Sequence, residues 1–242
     1  MKPTVLGKST FLPSSLRVGH NVLIHDNCSF GENSVIGNNV IIYSHVEVGK
    51  NCQIQDNVVI GKKSFATSNT GSSKKVTEAN SAVTIGDDVL IGTGALLYWG
   101  CRIGNSCIIA DMAIIREGVV LGYCVRIGKQ TIIEYEAVIG DGTRIQAHTL
   151  IGEKMQIGRD VFIGPHVSSA CDKNIGSRSR AAVAPPIIRD GAKIGEAVVL
   201  HPGIEVGKGA IVGAGSLVLS SIGERILVIG HPCRVVRRIK ES

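Results

Sequence analysis

Large side chains are scarce in this sequence. Of 242 residues, 4% are aromatic and three are methionine, so a core built on rings is excluded. The interior must be filled by Ile, Val, Leu and small residues. No run of about 18 or more uncharged apolar residues occurs, which excludes a membrane-spanning helix. The opening MKPTVLGKSTFLPSS lacks the apolar stretch of a secretory signal, so a cytoplasmic protein is expected. Seven cysteines is an odd number, and none stands in a CxxC or other metal-ligand spacing. Neither a disulfide framework nor a cysteine-ligated metal is expected.

Acidic residues are outnumbered: Lys and Arg total 26 against 20 Asp and Glu, a formal net charge of +6. A basic excess suits nucleic acid, an acidic membrane or a small anionic ligand. With so few aromatics to stack bases, a small phosphate-bearing molecule is the expected partner, with no nucleic acid and no membrane. One basic cluster closes the chain, at Arg234, Arg237, Arg238 and Lys240.

What the chain has in quantity is glycine and a six-residue ruler. In VIGDGTRIQAHTLIG, residues 138–152, Ile139, Ile145 and Ile151 recur at that interval. The ruler runs from Leu6 to Ile60, from Ile85 to Ile163 and from Ile188 to Val218. Four residues past each ruler position lies a slot filled by Val, Ala, Ser, Thr or Cys, which takes Cys28, Cys52, Cys101 and Cys107. Free cysteine packs there as a small apolar residue. Period six fits neither a helix nor simple alternation; it suits three short strands per turn of a triangular coil. Three hexads make a coil of about 18 residues, giving about ten coils and a rod about 48 Å long.

Ruler segments such as VIGNNVII, TIGDDVLIG, RIGNSCIIA and QIGRDVFIGP resemble those of the hexapeptide-repeat acyltransferases. The resemblance implies an all-β, left-handed parallel β-helix, and a homotrimer with acyl-CoA bound between subunits. The run IQAHTLIGEKMQIGRDVFIGPHVSSACDKN, the segment PPIIRDGAKIGEAVVLHPGIEVGKGAIVGAGSLVLSS and the tail IGHPCRVVRRIK are similar to the nucleotide-sugar amino-acyltransferase branch. That likeness implies N-acetylation of an amino sugar on a nucleotide. The chain is expected to hold a β-helix over 1–223 and a short C-terminal helix or tail over 224–242. Two segments escape the ruler, near 64–84 and 168–187, and are expected to protrude as loops. The second coincides with the branch's substrate loop, whose T-N-D reads Ala170-Cys171-Asp172 here; Asp172 and Cys171 are the expected substrate contacts.

Residues 18 apart stack on one edge of such a coil, so Gly94, Met112, Gln130, His148 and His166 form a column. Two stacked imidazoles suit proton transfer near neutral pH. His148 is the expected base and His166 its partner, with Gln130 and Glu134 as further substrate contacts; Glu134 and Glu136 lie one face away from the column. The branch usually has Asn where His148 stands, so this role comes from the column alone. For the acetyl-CoA co-substrate, Gly195, Ala197, Gly213, Ala214 and Gly215 offer close backbone approach. Lys208, Arg234 and Arg237 are the candidate phosphate partners. No metal is expected.

Three other functions fit parts of the sequence. A sugar hydroxyl as acceptor would make this an O-acetyltransferase and would need the base more. His20 and His25 share the spacing of part of the zinc site in hexapeptide-repeat carbonic anhydrases, although His45 falls at an unsuitable distance for a third ligand. A solenoid also suits a non-catalytic scaffold.

Overall fold

The computed structural model describes residues 5–64, 82–175 and 183–240. Among them there is no helix; nearly every element is a two- or three-residue strand. The strands form three parallel sheets, which we call faces A, B and C, with eleven, nine and twelve strands. Residues 114–115, 132–133 and 150–151 are successive rungs of face A; 120–121 and 138–139 belong to face B; 126–127 and 144–145 to face C. The chain is a parallel β-solenoid of about ten turns, the left-handed β-helix that was expected.

The register explains the ruler. Ile127 pairs with Ile145 and Ile145 with Ile163, so each ruler residue stacks on the one a coil before. Ile109, Ile127, Ile133, Ile145, Ile151 and Ile163 are at most 1% exposed. Each contributes about 1.5–3 kcal/mol of burial. The small slot is buried too, and its polar members are satisfied by the next coil. Thr131, Thr143 and Thr149 donate to the carbonyls of Gln146, Gly158 and Gly164 at 2.8, 2.8 and 3.0 Å. Cys101 and Cys107 reach those of Arg116 and Gly122, both at 3.0 Å. The ruler extends one hexad further than expected, because Ser169 takes the inward position at 5% exposure and bonds the Leu150 carbonyl. At the other end Leu6 is 50% exposed, since its face begins there.

Three edges join the faces. Each turn places one residue in the left-handed backbone region, which Asn tolerates and other side chains resist. Asn fills it in the early coils, as at Asn39 (φ 55°) and Asn57 (φ 61°). Both interruptions of the ruler join a face-A strand to a face-B strand, 59–62 to 83–85 and 168–169 to 187–188. Both therefore leave from edge AB. Residues 65–81 and 176–182, most of the expected loops, lie outside the described residues. At the base of the second, Asp172 bridges Val183 in antiparallel pairing and Ala184 donates to the Cys171 carbonyl at 2.7 Å.

The C-terminal segment corrects one expectation. It is neither helix nor loose tail but a hairpin, Ile226–Gly230 with Cys233–Arg238, whose first strand pairs with 211–212 on face C. Val228 continues the ruler inward at 2% exposure, and β-branched residues along CRVVRR favour a strand over a helix. Arg234 and Arg237 thus stand on a strand, opposite Ile229 and Leu227.

Candidate active site

The expected column exists, on edge CA. Met112, Gln130, His148 and His166 all adopt the left-handed conformation, with φ of 57°, 54°, 58° and 57°. Because their backbones repeat, their side chains leave in parallel. The imidazoles of His148 and His166 lie 5.0 Å apart between centroids and 2° from parallel. Both are exposed, so either ring can exchange a proton with a ligand on the edge. Gln130 lies beside His148 and donates to the Met112 sulfur at 3.7 Å.

Beyond His166 the column continues as Ala197 and Gly215, with φ of 54° and 67°. A side chain added at Gly215 would meet nothing within 4 Å. The edge therefore steps down from two rings to two small residues, leaving room for a slender ligand arm. Gly195 and Gly213 have a packing reason to be glycine: a Cβ at Gly195 would stand 2.5 Å from the Ala214 nitrogen, and at Gly213 it would strike Ile229. The amides of Gly195, Ala197, Gly213 and Gly215 are already bonded to the carbonyls of Val212, Pro165, Val228 and Glu196. Of the five small residues expected to approach the cofactor through their backbone, only Ala214 keeps an amide with no bond among the described residues.

A feature of the same edge escaped the sequence reading. In early coils the amide two residues past the ruler is capped by the next coil's side chain: His20 by Asn38, Asn38 by Asp56, Thr93 by Asp111. Where that position becomes Lys129, Ala147, Pro165, Glu196 and Ala214 the caps stop. The amides of Asp111, Lys129, Ala147, Glu196 and Ala214 are left without a partner among the described residues, and that of Ala147 is next to His148. The signal was present as the replacement of Asn and Asp by Ala and Pro at a fixed register, next to the histidines. Uncapped amides beside a base can hold the negative oxygen of an acyl-transfer intermediate.

Other candidates lie elsewhere. Glu134 is on edge AB, across face A from the histidines, and pairs with Arg116 at 3.3 Å. Burial raises its carboxyl above the ordinary value, with Arg116 partly offsetting. Glu136 takes the left-handed corner of the same edge. Asp172 and Cys171 are also at edge AB; burial pushes the Cys171 thiol up to about 11, and the thiol reaches the Glu153 carbonyl at 3.7 Å. In one chain Asp172 and the histidines are therefore a full face apart. Lys208 sits at edge BC, where its carbonyl accepts from the Arg225 amide; Arg234 and Arg237 face outward on face C. His20 and His25 flank the face-A strand 23–24 at opposite ends, and His25 stacks on Tyr43 at 5.1 Å. No group of three metal-ligating side chains occurs among the described residues.

The comparisons agree with this architecture. The family model "Bacterial transferase hexapeptide (six repeats)" matches residues 29–62, and "Hexapeptide repeat of succinyl-transferase" matches 82–128 and 185–220. Galactoside O-acetyltransferase of Lactococcus lactis is 32% identical over 95 residues, 34% of this chain and 45% of that protein. The Escherichia coli galactoside O-acetyltransferase is 31% identical over 90 residues, 35% and 44% of the two chains. Serine acetyltransferase of Buchnera aphidicola is 44% identical over 57 residues, 24% and 22%. This chain thus spans less than half the length of these relatives. The solved UDP-N-acetylglucosamine acyltransferase of Campylobacter jejuni shares the fold across 97% of this chain and 75% of its own, at a TM-score of 0.50 and 16% identity. Matched in three separate stretches of its β-helix, the chain carries the repeats of the hexapeptide-repeat transferase family.

Proposed function

We propose that this protein is an acetyl-CoA-dependent acetyltransferase acting on a sugar, with its active site at edge CA. The stacked His148–His166 pair, next to uncapped amides and a small-residue step, carries this reading. Acetyl-CoA supplies the acyl group as a thioester. Ala197 and Gly215 leave space for its pantetheine arm, and the Ala147 amide, next to His148, is the one that faces a developing oxyanion. His148 takes the proton from the acceptor as the new bond to the acyl carbon forms, then returns it to the departing sulfur. His166 lies against the His148 ring and holds it in place. Two of the relatives that match over 90–95 residues are galactoside O-acetyltransferases, which supports a hydroxyl acceptor; a hydroxyl needs a base more than an amine does.

An amine on a nucleotide-linked sugar is the second reading, supported by Asp172 in the loop that the sequence likeness singles out. A further element of the proposal is self-association. The outward positions of face A read Leu23, Ile41, Val59, Leu96, Ile114, Ile132, Leu150, Ser168, Val199 and Leu217. That is one apolar stripe along the rod, with Leu150 and Val199 37% and 41% exposed. A second copy on it would bring its own edge AB, with Asp172, toward these histidines; we propose a trimer.

Mixing the purified chain with acetyl-CoA, a panel of galactosides and nucleotide amino sugars, and a thiol-detecting reagent tests the function. Release of free CoA thiol that depends on the acceptor is expected. His148→Ala should lower turnover by about 10²–10⁴. A loss within about threefold would exclude the base.

A further inference from the structure

Face C carries a column of cations that no internal interaction requires. Its outward positions pair in sequence: Arg126 with Arg144, Arg144 with Phe162, and Phe162 with Lys193. Ile211, Leu227 and Arg237 follow. Arg126, Arg144, Lys193 and Arg237 are exposed, and none makes a salt bridge among the described residues. Like charges on neighbouring rungs repel, so the Arg126–Arg144 rung works against the fold. The one contact inside the column is Arg144 over the Phe162 ring, 5.8 Å from its centroid.

The column spans seven rungs, about 29 Å from first to last. It lies next to the proposed active edge, because each of its parallel strands leads straight into that edge. Arg144 is followed by Gln146, Ala147 and His148, and Phe162 by Pro165 and His166. A flat sheet face offers none of the concavity that small ligands need, so an extended anion is the better occupant. The flanking edges narrow the choice. Edge BC carries Asp141, Asp160 and Asp190 among Arg159 and Lys208, and edge CA carries Asp111 and Glu196 with Lys129. Asp190 pairs with Arg159 and Asp111 with Lys129, which leaves Asp141, Asp160 and Glu196 without a cation partner among the described residues. A membrane surface or a nucleic-acid duplex covering face C would meet these carboxylates. A slender chain laid along the column would not. A single-stranded nucleic acid would want several stacking rings, and the basic stretch of the column has Phe162 alone.

We propose that face C is a docking strip for a linear acidic polysaccharide, which it presents to the histidine edge as acetyl acceptor. This rests on the sugar-acetyltransferase reading and names its substrate class. Binding of polygalacturonate, measured by calorimetry at graded salt and without acetyl-CoA, tests it. Tight binding that weakens steeply with salt is expected, with no binding of neutral dextran. Arg126→Gln with Arg144→Gln should weaken binding tenfold or more and reduce the salt slope by about one to two. Arg102→Gln, on face B, should leave it unchanged. Arg126→Glu places opposite charges on adjacent rungs, so its melting temperature should equal or exceed that of the parent while binding falls. Equal binding of dextran and polygalacturonate, wild-type affinity in the double variant or in Arg126→Glu, or preference for poly(dT) or phosphatidylserine vesicles would each overturn the proposal. Acetyl transfer to a small neutral galactoside, unaffected by the double variant, reports separately on the activity itself.

Discussion

Cys101 illustrates how the repeat decides what a residue can do. Its thiol is fully enclosed, points at the Arg116 carbonyl and is pushed by burial up to about 12. The thiolate is the reactive form, so native Cys101 should resist alkylation, whereas Cys124 at an edge is partly exposed. Brief iodoacetamide treatment followed by peptide mass spectrometry should find Cys124 labelled well before Cys101. Early labelling of Cys101 would mean that the coil opens. Arg116 offers a pH-dependent counterpart. Burial, the largest single influence, would raise the Glu117 carboxyl. The Arg116 hydrogen bond at 2.7 Å, the backbone amide of Glu117 itself, the Ser64 hydroxyl and the Arg116 charge together outweigh it and hold the carboxyl below its ordinary value. A depressed carboxyl stabilises the fold above its unfolded pKa, and that contribution is lost as pH falls through the folded value. Glu117→Gln should therefore cost roughly 0.5–1 kcal/mol at neutral pH, discounted for partial solvation. In urea melts the difference from wild type should shrink below about pH 4.

At the scale of the strand and its corner, the left-handed residue sets the terms. Met112 holds φ 57° and is 57% exposed, so it bears the cost of that backbone and buries little. Asn tolerates the conformation, and Asn21, Asn39 and Asn57 already stack side chain to side chain on this edge. Met112→Asn should raise stability by about 0.5–1 kcal/mol, read as a higher melting temperature. Gly195→Ala should do the reverse, losing on the order of 1–3 kcal/mol as its Cβ meets Ala214. The ruler residues and the histidine column were legible in the sequence because both depend only on a period of 18 once the coil is accepted. The period also set Glu134 one face away from the histidines; what it cannot supply is whether a neighbouring subunit brings such a residue back to them. The hairpin was hidden for a different reason. Ile226–Arg238 breaks the six-residue rule, and its strands are set by pairing with 211–212, not by a repeat. The uncapped amides were written as Ala147 and Ala214, but small residues look alike until the neighbouring coil shows what they fail to cap.

For the molecule as a whole, the three faces differ in what they offer. Face C is basic toward its C-terminal end, face B is mixed, and face A presents an aliphatic stripe on the order of 500 Å², at the size where a patch on a soluble protein marks an interface. The proposed trimer puts that stripe in contact, and the division of the site between two edges gives it a functional consequence. His148 and His166 occupy edge CA while Asp172 occupies edge AB, so in the proposed site it is another chain's edge AB that supplies Asp172. Ile132→Lys with Leu150→Lys places charges on two paired rungs of face A while leaving both inward neighbours, Ile133 and Ile151, in place. Sedimentation equilibrium should show wild type at three times the 25.5 kDa chain mass and the double variant near one. Circular dichroism should be unchanged, because outward residues contribute little to the coil. Acetyl transfer should fall with the assembly and recover as protein concentration rises. A double variant that keeps both its mass and its turnover would show that face A is not the contact, and would leave Asp172 without a route to the histidines.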